Sequence, residues 1–148
     1  MKVAIVGSRN YQRLTAVTDY VRPLPKDAKV ISGCAAGVDQ QAARAARAFG
    51  YNVLEVPVRT EGLPEDDQER RIEYGKRAYE RNTWMVTYAD EVVAFHADCD
   101  RPNCRRGPQR HMSHGTAHAI SEARRLGKRL LLFGPSGSLS GPVEEARK

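Results

Sequence analysis

Long apolar runs and cysteines are both scarce in this chain of 148 residues. No apolar stretch approaches the roughly 20 residues that a membrane-spanning helix needs. The few apolar residues before Gly7 are too short a run for the core of a signal peptide. The three cysteines are an odd and sparse set, which argues against a disulfide framework. We therefore expect a cytoplasmic protein with no membrane association.

Aromatic residues are also few, at 7% of the chain, whereas charged residues are plentiful and unbalanced. The 24 Lys and Arg residues exceed the 18 Asp and Glu residues, which gives a formal net charge of +6. A basic surplus favours anionic partners, but it does not distinguish nucleotides from nucleic acid or from an acidic surface. The hydrophobic share of 41% is sufficient for one ordinary globular core.

Short apolar runs alternate along the chain with longer amphipathic segments. Five runs predict strands, and they begin at or near Val3, Lys29, Asn52, Glu91 and Arg129. The segments between them carry apolar residues at helical spacing, and the third such segment, from about 67 to 89, has a predicted break near Asn82. This alternation predicts an α/β, Rossmann-like fold, with about five largely parallel strands and helices on both faces.

The pattern also divides the chain at about residue 133. Residues 1–133 hold all the predicted strands and helices and form the expected Rossmann-like domain. Residues 134–148 are rich in Gly, Ser and Pro and then charged, which predicts a flexible C-terminal tail or a loosely docked turn. In a parallel sheet of this type, ligands bind beyond the carboxyl ends of the strands.

Small and hydroxyl-bearing residues lie in three of the loops that lead from a predicted strand to the next predicted helix. Backbone N–H groups at a helix start can bind an anion, although the same residues also serve as plain turns and caps. Asp39 could hold a ribose hydroxyl, act as a base or simply favour the start of its helix. The candidate ligand-binding residues are Gly7, Ser8, Arg9, Ser32, Gly33, Gly37, Asp39, Arg81, Asn82, Ser113, Gly115 and Thr116.

Taken in chain order, these motifs resemble the SLOG superfamily, which is named from the Smf/DprA and Lonely Guy (LOG) proteins. The chain looks most similar to the small YspA-like branch, and the resemblance covers about residues 1–133. It implies a Rossmann-like fold and a site for a nucleotide or nucleotide derivative at the carboxyl edge of the sheet. We expect backbone amides, Arg9 and Arg81 to hold the phosphate, and the resemblance favours a homodimer.

The LOG side of the superfamily implies hydrolysis of an N-glycosidic bond. LOG enzymes use a Pro-Gly-Gly-x-Gly-Thr-x-x-Glu motif, and its catalytic glutamate falls here at Ala119, counted from Gly115 and Thr116. An alanine cannot transfer a proton or stabilise a cationic sugar. The candidate catalytic residues that remain for a hydrolytic step are Asp39 and Glu122.

The DprA side of the superfamily implies a different function, the binding of single-stranded nucleic acid without catalysis. DprA shows a similar arginine-asparagine pair and a similar small-residue loop, and the net charge of +6 suits this partner. The low aromatic content argues against it, because stacked aromatic side chains usually help to hold single strands. A partner-binding module with a degenerate pocket is a further alternative.

The segment from 96 to 112 is dense in histidine, cysteine and arginine. His96, Cys99, Cys104 and His111 carry the thiolates and imidazoles that zinc prefers, although their spacing is not a standard finger pattern. His114 and His118 are further candidate ligands, unless they simply share one face of a helix. Alternatively the segment is a lid whose arginines contact phosphate groups, namely Arg101, Arg105, Arg106 and Arg110.

Overall fold

Five strands and four helices alternate in the structure, a computed structural model that describes residues 1–147. The elements, in chain order, are β1 (Lys2–Gly7), α1 (Leu14–Val21), β2 (Lys29–Ser32), α2 (Val38–Ala48), β3 (Asn52–Glu55), α3 (Asp67–Tyr88), β4 (Glu91–Phe95), α4 (His114–Arg125) and β5 (Arg129–Phe133). Every predicted strand is present, which confirms the alternation read from the sequence.

The five strands form one parallel sheet in the order β3-β2-β1-β4-β5. From β1 the chain builds outward through β2 and β3, and α3 then carries it back to the other side of β1, where β4 pairs. The direction of winding therefore reverses between β1 and β4. In open α/β sheets the crevice at such a reversal, beyond the carboxyl ends of the strands, is the usual ligand site.

Helices cover both faces of this sheet, and β1 shows how. Val3 and Ile5 pack with the buried residues of α1 and α2, whereas Ala4 and Val6 pack with those of α3 and α4. Successive side chains of a strand point to opposite faces, so each face of β1 meets its own helical layer. This is why the strands read as continuous apolar runs rather than as alternating ones.

The predicted break near Asn82 is wrong, because α3 runs without interruption from Asp67 to Tyr88. Asn82 is buried within the helix, where its Nδ2 donates to the Gly115 carbonyl at 3.3 Å and its Oδ1 accepts from Arg81 at 3.1 Å. Asparagine ends helices when its side chain competes for local backbone groups. Here the side chain is engaged by other residues, and it joins α3 to the start of α4.

The segment that was predicted as a flexible tail, 134–148, lies along the edge of the sheet over its described part. Antiparallel bridges pair Leu130 with Glu144 and Phe133 with Leu139. Arg124 contacts Glu144 at 2.9 Å, and the Tyr11 hydroxyl donates to the carbonyl after β5 at 2.6 Å. The described part is thus a docked segment in this structure, and Lys148 lies outside the described residues.

Within residues 1–147, none of the helices is both long enough and apolar enough to cross a membrane.

Candidate functional site

A large open cleft lies at the carboxyl ends of β1 and β4, where the winding of the sheet reverses. Its volume is about 1480 Å³, and it is lined by the end of β1, the start of α4, one side of α3 and part of the 96–113 segment. Pockets for small molecules commonly measure about 300–1,000 Å³. The cleft is therefore larger than a single small ligand requires.

Nine of the twelve predicted ligand-binding residues line this cleft. They are Gly7, Ser8, Arg9, Asp39, Arg81, Asn82, Ser113, Gly115 and Thr116. The other three, Ser32, Gly33 and Gly37, do not line it but stand behind its wall. Ser32, for example, donates its hydroxyl to the Asp39 carbonyl at 2.9 Å, so it supports the residue that faces the cleft.

Three hydroxyl groups meet at the base of the cleft, although they come from opposite ends of the chain. Ser8, just after β1, lies 2.5 Å from the Ser113 hydroxyl and 3.4 Å from the Thr116 hydroxyl. The Ser113 hydroxyl donates to Thr116 at 3.2 Å, and the amide of Ala97 donates to Ser8 at 3.0 Å. We call Ser8, Ser113 and Thr116 the hydroxyl cluster. It marks a point where polar hydrogens from β1 and α4 converge.

Two helix N-termini, those of α2 and α4, lie at the same edge of the sheet. Neither N-cap residue, Gly37 or Ser113, uses a side chain to cap its helix. Gly37 has a φ of +82°, and a Cβ at this position would lie 2.7 Å from the Arg9 carbonyl oxygen. Only glycine allows this close approach, which sets the start of α2 against the loop after β1. Helix N-termini carry partial positive charge and attract anions.

Arg81 is a fixed cation at the side of the cleft. Its guanidinium donates to the Gly33 carbonyl and, at 3.0 Å, to the Val56 carbonyl, and its Nε donates to Asn82. These acceptors belong to the loops after β2 and β3 and to α3 itself. Because carbonyl groups neutralise no charge, Arg81 remains available as a positive charge beside Asp39.

Asp39 is a buried carboxyl group at the start of α2. Its Oδ2 accepts a hydrogen bond from the Ala35 amide at 3.2 Å. Burial raises the pKa of Asp39 to about 6, while that amide and the charges of Arg81 and Arg9 lower it by smaller amounts. A carboxyl group with a pKa in this range can exchange a proton near neutral pH.

Glu122, the other candidate catalytic residue, does not belong to the cleft lining. Its carboxylate accepts from the Thr83 hydroxyl at 2.6 Å and pairs with Arg125 at 2.7 Å. The Arg125 and Thr83 hydrogen bonds hold the pKa of Glu122 at about 2. Its contacts are therefore those of a residue that joins α3 to α4. Ala119, at the position of the LOG glutamate, is fully buried against the sheet.

Basic side chains far outnumber acidic ones around the cleft. The acidic ones are Asp39 and Asp100. The basic ones are Arg9, Arg70, Arg71, Lys76, Arg81, Arg101, Arg105 and Arg106. Arg110, the fourth arginine of the predicted lid, instead pairs with Asp98 at 2.5 Å. The surplus of positive charge measured over the whole sequence is thus concentrated where the polar hydrogens converge.

Four candidate metal ligands come together in the structure, but they differ at one position from the set that the sequence predicted. Cys99, Cys104, His111 and His114 place their ligand atoms within 4.8 Å of one another and could hold a metal. His96 is not among them, so the predicted set is corrected at that position. The backbone amide of His96 donates to the Phe133 carbonyl at 2.9 Å, which extends the pairing of β4 with β5. The sheet therefore keeps His96 away from the loop, and His114 takes its place.

Sequence reasoning missed the contribution of the first half of α3. This half supplies Arg70, Arg71, Lys76 and the half-exposed ring of Tyr74 to the cleft, and the half-exposed ring of Tyr79 follows just beyond it. Residues that share a helix face recur every three to four positions, but nothing in that spacing says which face meets a ligand. No local signal could have assigned them to the site.

The fold and the cleft together define a Rossmann-like α/β protein with a basic, hydroxyl-lined cleft where its winding reverses. DNA processing protein A (DprA) from Streptococcus pneumoniae is similar in structure, with a TM-score of 0.64 and 18% sequence identity. The match covers 88% of this chain and 49% of that chain, so this chain spans about half the length of DprA.

The protein TM1055 is also similar in structure, with a TM-score of 0.60 and 22% identity over 87% of this chain and 71% of that chain. No protein-family model matches the sequence. No curated protein matches it either. At these identities the two structural likenesses show a common fold, which is the fold that the SLOG resemblance implies.

The buried carboxyl group of Asp39 predicts a dependence of stability on pH. In the unfolded chain an aspartate ionises near pH 4, so its ionisation destabilises the folded protein as the pH rises from about 4 to about 6. Relative to Asp39→Asn, the wild type should lose up to about 3 kcal/mol of unfolding free energy between about pH 4 and pH 7. Urea denaturation of both proteins at the two pH values measures this.

Glu122→Gln is the matched control, because the pKa of Glu122 is shifted in the opposite direction. Its ionised form stabilises the folded protein, and that contribution is lost as the pH falls below about 4.5. Relative to this variant, the wild type should become more stable as the pH rises. If the difference in unfolding free energy between the wild type and Asp39→Asn did not change with pH, the raised pKa of Asp39 would be contradicted.

Proposed function

We propose that this chain binds a nucleotide or nucleotide derivative in the cleft between β1, α3 and α4. The observation that supports this most is the hydroxyl cluster, which stands at the start of α4 among the basic side chains of the cleft. A phosphate group at this point would receive hydroxyl and amide hydrogen bonds together with the charge of Arg9. Arg81, already fixed by carbonyl groups, would add a second charge.

The remainder of a nucleotide has partners along the same cleft. Tyr79 stacks on His118 with a centroid distance of 4.0 Å and remains 40% exposed, and Tyr74 is 38% exposed. Such rings can stack with a base. Asp39 would accept hydrogen bonds from ribose hydroxyls. The volume of the cleft favours a ligand larger than a mononucleotide, such as a dinucleotide or an ADP-ribose-like compound.

Arg9→Ala should weaken nucleotide binding while leaving the fold intact, since Arg9 is exposed. A charged hydrogen bond to phosphate contributes about 1.5–3 kcal/mol, which corresponds to a loss of about 10- to 100-fold in affinity. Thermal-shift titrations of the wild type with AMP, ADP and ADP-ribose, each compared with adenosine, should show stabilisation only by the phosphorylated ligands. The Arg9→Ala variant should need correspondingly higher concentrations.

Arg44→Ala is the control for this experiment, because Arg44 is an exposed arginine of α2 that does not line the cleft. It should bind the same ligands as the wild type does. The absence of any shift with all nucleotides at millimolar concentration would overturn the proposed function. Equal stabilisation by adenosine would contradict the phosphate site within it.

Single-stranded nucleic acid is the alternative ligand, and the size and charge of the cleft are the observations that favour it. Eight basic side chains around 1480 Å³ could follow several phosphates of a strand. A structurally similar protein is named for DNA processing, although this chain spans only about half of it. We rank this alternative second, because only Tyr74 and Tyr79 offer exposed rings in the cleft.

The dependence of binding on salt distinguishes the two ligands. A labelled thymidine oligonucleotide bound through several phosphates should lose affinity steeply as salt rises, with a slope of about −0.7 per phosphate contact. We expect oligonucleotide binding to disappear at physiological salt while nucleotide binding changes little. Tight oligonucleotide binding at physiological salt would reverse the ranking. In that case the double variant Arg105→Ala, Arg106→Ala should show a smaller dependence of affinity on salt than the wild type.

A hydrolytic step on the bound ligand would have to use Asp39, because Ala119 is buried and Glu122 is engaged outside the cleft. We expect no LOG-like release of free base from AMP, GMP, CMP or UMP, measured by chromatography after long incubation. Loss of a general acid or base commonly costs about 100- to 10,000-fold in rate. Robust release would contradict this expectation, and the Asp39→Asn and Glu122→Gln variants would then identify the responsible carboxylate.

Three further predictions accompany this proposal. A homodimer remains a prediction, and α3 offers the exposed apolar side chain of Trp84, which does not line the cleft, for such a contact. An ion held by the cysteine and histidine cluster, with zinc as the ion that its ligands favour, would brace the wall of the cleft and take no part in binding phosphate. The cytoplasmic location likewise remains a prediction from the sequence.

A further inference from the structure

The connection between β4 and α4 lacks the apolar packing that orders the rest of the molecule. Among the described residues, none from 98 to 111 belongs to either hydrophobic core. The contacts that join its ends are the bridge of Asp98 to Met112, the hydrogen bond from the Cys99 amide to the His111 carbonyl at 2.7 Å, and the Arg110–Asp98 ion pair at 2.5 Å. These contacts are few for a connection of this length, so a further source of order is needed between them.

The side chains of Cys99, Cys104, His111 and His114 meet in the middle of this connection. The Cys104 sulfur lies 3.3 Å from Nε2 of His111 and 3.1 Å from Nε2 of His114, and the two Nε2 atoms are 3.2 Å apart. In a tetrahedral zinc site, bonds of about 2.3 Å to sulfur and 2.0–2.1 Å to nitrogen give separations of roughly 3.3–3.6 Å for pairs that include a nitrogen and about 3.8 Å between two sulfur atoms. The three separations among Cys104, His111 and His114 are therefore close to the edges of such a tetrahedron, and the Cys99 sulfur lies within 4.8 Å of the other ligand atoms.

The orientation of His111 is also that of a metal ligand. Its Nδ1 lies 2.7 Å from the Gln109 carbonyl oxygen, and a carbonyl can only accept, so Nδ1 carries the proton. Nε2 of a neutral His111 then presents its lone pair to the cluster. Metal-bound histidines usually donate their other N–H to a carbonyl or a carboxylate in this way. A cation at the centre would satisfy this lone pair and the neighbouring sulfur and nitrogen atoms together.

We propose that Cys99, Cys104, His111 and His114 form a closed structural metal site for a zinc-type ion. Four protein ligands leave no open position for a water or a substrate, which distinguishes a structural from a catalytic zinc site. Two thiolates with two imidazoles suit zinc better than magnesium or calcium, which prefer oxygen ligands. The proposal does not depend on the nucleotide site, because it follows from these four residues alone.

The ion would fix one wall of the cleft to the start of α4. Arg105 and Arg106 directly follow one ligand, Cys104, and both line the cleft. His114 is the first residue of α4 and stands between Ser113 and Thr116 of the hydroxyl cluster. Without the ion, the side-chain contacts of Cys104 and His111 with His114 would be ordinary hydrogen bonds rather than bonds to a shared metal.

Metal content and cobalt spectra test the site directly, using the full chain purified without a histidine tag and without chelators. The wild type should contain about one equivalent of zinc and, after exchange with Co²⁺, should show the visible bands of tetrahedral cobalt with thiolate charge transfer. Cys104→Ser and His114→Ala should lower metal affinity by about 100-fold or more, since even indirect partners of a metal site are worth about 10- to 100-fold.

Cys34→Ser and His96→Ala are the matched controls, because they change a thiol and an imidazole outside the cluster. Both should retain the metal and the cobalt spectrum. Loss of metal in His96→Ala but not in His114→Ala would overturn the ligand set proposed here. If the ligand variants fail to fold, the wild-type spectrum decides alone, and the absence of tetrahedral cobalt bands would overturn the site.

Limited trypsin digestion provides a second readout, which measures the order of the connection between β4 and α4 rather than its metal content. Cleavage after Arg105, Arg106 and Arg110 should be slow in the metal-loaded protein and should accelerate several-fold when a chelator removes the ion. The same acceleration should appear in Cys104→Ser without a chelator, but not in Cys34→Ser. Equal cleavage rates with and without metal would contradict the bracing role.

Discussion

The pairing of β1 between β2 and β4 is the constraint on which the rest of the structure depends. β1 and β4 run in register from Val3 opposite Glu91 to Gly7 opposite Phe95, and both strands therefore end at the same level. The chain then leaves β1 and β4 toward helices on opposite faces, which opens the cleft between them. Because the Ser8 amide continues the ladder by donating to the Phe95 carbonyl at 3.1 Å, Ser8 is delivered directly to the start of α4.

Close packing of the loops converts this placement into a preorganised site. A Cβ on Gly33 would lie 2.8 Å from the Arg81 guanidinium and 2.9 Å from the Asp39 carboxyl group, so no larger side chain fits without displacing one of them. The Gly33 and Val56 carbonyls hold Arg81, and the Ala35 amide holds Asp39, so both side chains are fixed by the protein itself. Charges that are fixed in advance avoid the conformational cost of ordering on binding. The same packing removes Asp39 from water and raises its pKa.

The 96–113 connection follows a different principle from the sheet. It has exposed arginines where the sheet has buried aliphatic side chains, and its centre is the cysteine and histidine cluster. Polar loops can be ordered by directed bonds where the hydrophobic effect supplies nothing. The connection side of the cleft carries three cationic side chains, and under the proposed function the two walls would have different roles. The sheet side would orient a phosphate group, and the connection side would surround it with positive charge.

The sequence by itself determined the strands, most of the helices and the edge of the sheet at which the candidate ligand-binding residues lie. β4 and β5 are apolar runs long enough to be buried on both faces, and runs of this kind with helices between them have few solutions. The tertiary structure decided what depends on contacts between distant residues. Asn82 stays helical because its side chain donates a hydrogen bond to the Gly115 carbonyl. Glu122 lies outside the cleft because its carboxylate is bound to Thr83 and Arg125. His114 takes the place of His96 in the cysteine and histidine cluster, because the backbone of His96 is paired with β5. The spacing of residues along the chain carries no information about this pairing.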